Sequence, residues 1–126
     1  MATPQSPKTI QYMMLLSFAT LPILLIVFIA LPYKGEATGA TMVPILVSAG
    51  SFAAAMYWLL NRMDLDQTPA QFQTNMLIAL ALGELCSLMG IFLGLPAGLS
   101  PYYFVGANFL VIVFALIRLN SYWAQR

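Results

Sequence analysis

Met76-Leu77-Ile78-Ala79-Leu80-Ala81-Leu82-Gly83-Glu84-Leu85-Cys86-Ser87-Leu88-Met89-Gly90-Ile91-Phe92-Leu93-Gly94 is an apolar run interrupted by one charge. Upstream, Thr68-Pro69-Ala70-Gln71 has the form of a capping box: the threonine can accept from an orphan amide, the glutamine can reach back, and proline suits the first helical position. Downstream, Pro96-Ala97-Gly98 is a stop signal. The expected helix over 69–94 matches the length of about 20 residues or more that a bilayer demands.

Three similar runs surround it, at about 12–31, 41–60 and 101–119. Pro22 lies inside the first and predicts a kink, since a membrane helix tolerates proline when neighbours satisfy the freed carbonyl. A signal peptide is the other reading of this first run; its apolar stretch exceeds a signal core of about 7–15 residues, and no small-residue cleavage site follows. Ahead of it, Met1 to Lys8, with Pro4 and Pro7, reads as an extended polar lead-in. Pro44 falls in the first turn of the second run, where no backbone donor is lost.

The chain has 126 residues, of which 61% are hydrophobic and 7% charged. Soluble domains carry about 25% charge, so a bilayer is the expected solvent. Four spans use up nearly the whole length, which predicts an all-α membrane protein with one domain over 1–126, folded as two antiparallel hairpins. Lys8, Arg62, Arg118 and Arg126 share one side of such a topology, against Lys34 on the other. That asymmetry predicts both termini in the cytoplasm. Tyr12, Tyr57 with Trp58, Tyr122 with Trp123, Tyr33, and Tyr102 with Tyr103 fall at the span ends, where aromatic residues serve as interface anchors.

Small residues mark the packing faces. Ser48-Ala49-Gly50-Ser51 opens one in the second run; Ala79, Gly83, Gly90 and Gly94 form another in the third, ending in a Gly-x-x-x-Gly. Such residues let helix backbones approach closely.

Glu84 is about 15 Å below the nearer end of its helix at 1.5 Å per residue, close to the bilayer midplane. A charge facing lipid there costs several kcal/mol, so the group is expected to be protonated, paired or turned inward. Arg118 is too far away in depth to pair with it. Ser51 and Asn108 lie at comparable depths and are the expected hydrogen-bond partners of a neutral Glu84. An intramembrane carboxylate reads either as a proton or ion site or as interhelical glue.

Several function classes are excluded. With a net charge of +1 and no basic stripe, nucleic-acid binding lacks electrostatic support. The chain has no histidine and a single cysteine, Cys86, so no disulfide framework, zinc site or usual haem ligation is expected, and no cofactor or metal. Asp64 and Asp66 form a short acidic pair without further ligands, read as a solvated loop. No nucleophile, base and orienting group recur together, so an enzyme is not expected.

The segment Gln73 to Gly90 resembles the ion-carrying helix of the proteolipid c subunit of rotary ATP synthases: a Thr-x-Met start at Thr74, an Ala-rich run, the carboxylate and a following glycine. The resemblance implies that Glu84 is an ion-binding carboxylate in an oligomer. It covers that helix alone, and the chain lacks the alternating inner-helix glycines and the polar-loop Arg-Asn/Gln-Pro motif. The full layout is similar to a group of uncharacterised bacterial four-helix membrane proteins with an Ala-x-x-Glu-x-x-x-x-x-Gly third helix, a resemblance that implies a bacterial inner membrane. Expected partners are the bilayer and either further copies or other membrane subunits. Two functions follow as expectations: a proteolipid-like proton or sodium site, or an accessory subunit of a larger membrane complex.

Overall fold

The computed structural model describes residues 6–125, and these form four long helices with no strand. They are α1 (Pro7–Leu25), α2 (Met42–Asn61), α3 (Pro69–Ala97) and α4 (Pro101–Ala124), each long and apolar enough to cross a membrane. Such dimensions are those of an integral membrane protein. Pro4, in the expected lead-in, and Arg126, in the charge count, lie outside the described residues.

The lead-in expectation is corrected at its end. Helix α1 already begins at Pro7, because Ser6 caps it by accepting from the Thr9 amide at 3.2 Å and Pro7 occupies the first helical position. The helix continues through Pro22 and then widens into a π turn over Ile26–Ala30, closed by Leu31 N–H donating to Ile26 O at 2.9 Å. Proline and π turns are both places where the regular ladder of a helix is disturbed. The short-range apolar pattern of the sequence carried no signal for the second.

Helix α3 is the central element, with half of its most apolar window buried, against 17% for α1. Its start is the capping box expected from the sequence, with Thr68 Oγ1 accepting from Gln71 N–H and Gln71 Oε1 accepting from Thr68 N–H. It ends on Gly98, whose positive φ of 90° a side chain would resist. There Leu99 N–H reaches Gly94 O and Gly98 N–H reaches Leu95 O, while Thr38 N–H takes up Pro96 O.

The glycines of α3 receive α4. A β-carbon at Gly83 would come within 2.9 Å of Asn108 Oδ1, one at Gly90 within 2.2 Å of Phe104 Cγ, and one at Gly94 within 2.8 Å of Phe104 Cε2. Ala79 is buried on the same helix, within the main core beside Val111, Ala115 and Leu119. Without water to drive apolar groups together, this close packing is what holds membrane helices to one another.

A polar belt ties one end of the bundle. Gln11 is fully buried; its Nε2 donates to Pro69 O at 3.0 Å and its Oε1 accepts from Trp123 Nε1 at 2.8 Å. Tyr12 Oη donates to Asn120 Oδ1. Tyr122 stacks on Phe72 and donates to Gln67 O at 2.6 Å, and Trp58 Nε1 donates to Asn75 Oδ1 at 3.1 Å. The expectation that Tyr122 is a simple interface anchor therefore needs correction. Tyr122 is fully buried, because its ring fills the space above Phe72 and its hydroxyl finds a carbonyl inside.

Candidate functional site

Glu84 sits fifteen positions after Pro69 and thirteen before Ala97, which is about 20 Å from either end of α3. Its side chain is 4% exposed, so it is turned into the bundle and away from lipid. Neither Glu84 Oε1 nor Oε2 has a hydrogen-bond partner. Inside an apolar bundle, two unpaired carboxyl oxygens are costly, and far more so when charged.

Asn108, the expected partner on α4, is fully buried and its side chain stands beside the Glu84 carboxyl. Its Nδ2 nevertheless donates to Ser87 Oγ at 2.8 Å, one turn further along α3, and its Oδ1 is left without a partner. Gly83 makes this approach possible, since any larger residue would meet Asn108 Oδ1. Ser51 is buried on α2 and makes no direct hydrogen bond to Glu84.

Ser87 was not singled out by sequence reasoning. A signal existed: Glu84 and Ser87 are three apart, so on a helix they share a face. Arg118, excluded as an ion partner, is occupied elsewhere. Its Nε donates to Leu59 O at 3.2 Å and a terminal nitrogen to Leu60 O at 3.3 Å, meeting the exposed carbonyls at the end of α2.

Residues of α2, α3 and α4 line an apolar cavity of about 400 Å³. Ile45, Ser48 and Phe52 line it from α2, Tyr103 and Phe104 from α4, and Cys86 from α3. Ser48 Oγ donates to Cys86 O at 3.4 Å, and the Cys86 thiol points at Phe104 O at 4.0 Å. Cys86 thus packs as a small buried residue. Glu84 is not among the residues lining this cavity.

The unit that can do chemistry is therefore Glu84, Asn108 and Ser87: one ionisable carboxyl, one amide and one hydroxyl, enclosed by a single chain. Its oxygens suit a proton or a hard monovalent cation, and it offers no nitrogen or sulfur donor set for a transition metal. No family model, curated protein or solved structure matches this chain.

Proposed function

We propose that this is a small integral membrane protein whose Glu84 carboxyl is an intramembrane ion site, taking up and releasing a proton within the bilayer. The observation that carries the reading is the burial of an unpaired carboxyl group midway along the most enclosed helix. An ionisable residue at that depth is expensive to keep, and such residues mark ion and proton paths in membrane proteins. A proton can be held by the Glu84 carboxyl alone, whereas a sodium ion would have to draw on the Asn108 and Ser87 oxygens as well.

In this reading the helices form two antiparallel hairpins in a bacterial inner membrane, with both termini cytoplasmic. Lys8, Arg62 and Arg118 support that orientation through the positive-inside rule, and the resemblance of α3 to a proteolipid helix supports assembly of several copies. Carboxyl-reactive carbodiimide tests the site in native membranes. Labelling of the wild-type chain that disappears in Glu84→Gln supports it, and labelling that persists in that variant refutes it. Protection by sodium would reassign the ion.

A second reading, an accessory subunit of a larger membrane complex, draws on the outer surface. Gly50 on α2 and Gly106 on α4 are exposed with open space above them, room for another helix to approach closely. Purification in mild detergent as a stable monomer with no accompanying protein would count against it.

A further inference from the structure

The apolar cavity shared by α2, α3 and α4 has a closed floor and an open rim. At the floor Cys86 is 1% exposed, and Ser48 and Phe104 are buried beside it. At the rim Ile45 and Ala49 of α2 are exposed, and Tyr103 of α4 is 80% exposed. Such a space is a groove that opens onto the outer surface of the bundle. In a chain that spans a membrane, that surface meets lipid hydrocarbon.

The lining sets what the groove can hold. Among the described residues that line it, none is charged. The polar atoms at the floor are already used inside the bundle, Ser48 Oγ on Cys86 O at 3.4 Å and the Cys86 thiol on Phe104 O at 4.0 Å. A polar guest would lose its hydration there and find no partner. Water itself does not fill an apolar cavity. Hydrocarbon does.

Depth and size narrow the choice further. Cys86 lies eleven positions before Ala97, the last residue of α3, about 16 Å from that end. Leu99, in the turn between α3 and α4, and Tyr103, two positions into α4, line the groove nearer the membrane surface. The groove thus lies within one leaflet, whose hydrocarbon is about 15 Å deep. It encloses about 400 Å³ and is lined along α2 over the seven positions from Ile45 to Phe52, about 10 Å. A helix about 10 Å across would occupy roughly 800 Å³ over that length, twice the space there is. A hydrocarbon chain is one carbon wide and packs about 4 Å from its neighbours, so it fits. Tyr103, with an apolar ring and a polar tip, stands where a lipid chain joins its headgroup.

From this geometry we propose that the groove binds an acyl chain of a bilayer lipid, in the leaflet at the C-terminal end of α3. The site is independent of the reading of Glu84 as a proton site, because Glu84 does not line it. The bound chain supplies the contacts that an empty groove would forfeit, and so joins α2 to α4.

Photo-crosslinking of the full chain in phosphatidylcholine vesicles tests the site, with a small share of the lipid carrying a diazirine midway along one acyl chain and adducts mapped by peptide mass spectrometry. Lipid on the outer surface labels exposed residues such as Leu16 and Phe28. A chain seated in the groove also labels Cys86 and Phe104, which are buried from outside. The expected result is labelling of Cys86 and Phe104, and its loss in Ala49→Phe and in Ala107→Phe, whose rings take up the space. Leu16 and Phe28 should stay labelled in both variants, and the core residues Met76 and Leu119 unlabelled, which shows that the bundle is intact. Labelling confined to exposed residues overturns the lipid site, as does floor labelling that both variants leave unchanged. Floor labelling that vanishes as the density of chain in the vesicle is raised assigns the groove to a second copy and overturns it too.

Discussion

Gly90 offers a quantitative test of how α3 and α4 are held together. A β-carbon there would stand 2.2, 2.3 and 2.7 Å from Cγ, Cδ1 and Cβ of Phe104. Carbon atoms prefer separations of about 3.5–4.0 Å, so Phe104 would have to withdraw by roughly 1 Å or more. It has little room to do so. The ring is buried, its far edge already lies against Gly94, and the closeness of its Cβ means that the α4 backbone must move with it.

Overpacking of this kind costs about 1–3 kcal/mol, and this geometry belongs at the upper end. The gain in helix propensity from glycine to alanine offsets about 1 kcal/mol. Gly90→Ala should therefore destabilise the bundle by about 1–2 kcal/mol net. Gly106→Ala is the control, since nothing lies within 4 Å of its added carbon. Reversible unfolding in mixed micelles, titrated with a denaturing detergent, measures both. The double variant Gly90→Ala with Phe104→Ala should be less harmful than the sum of its parts, because the two ring-carbon clashes are gone and only the contact with Cβ remains. Equal stability of the two alanine variants, or strict additivity in the double variant, would refute the reasoning.

Two more perturbations address the polar belt. Gln11→Leu removes the acceptor of Trp123 Nε1 and a donor to Pro69 O. The orphaned indole N–H should cost about 1–3 kcal/mol in the same unfolding assay, with Trp123 fluorescence changing in the folded state. Arg118→Leu frees the Leu59 and Leu60 carbonyls at the end of α2. Amide exchange in the last turn of α2 should quicken while that in the middle of α3 stays unchanged, and uniform quickening would show that Arg118 supports the whole bundle.

The number and kind of elements were legible along the chain because each signal is local. Apolar length marks a span, and Thr68, Pro69 and Gln71 mark the start of α3 within a single turn. Glu84 was legible for the same reason: a lone charge in an apolar run stands out in one dimension. The π turn after Leu25 was not legible, because Ile26–Ala30 is apolar whichever hydrogen-bond register it adopts.

What the sequence by itself determined, then, is a chain of four apolar helices with one carboxyl group deep in the third. Only the tertiary structure decided which way that group faces and what surrounds it. Direction depends on the rotation of α3 against α4, and that rotation is set by Asn108, Val111 and Phe104 settling onto Gly83, Gly90 and Gly94. The same contact joins Ser87 to Asn108, while the Glu84 carboxyl oxygens are left without a partner. Tertiary packing likewise put Tyr122, expected at the lipid interface, into a buried place with its hydroxyl on Gln67 O. Depth can be counted along a helix, residue by residue; facing cannot, because it is fixed by the fit of side chains far apart in sequence.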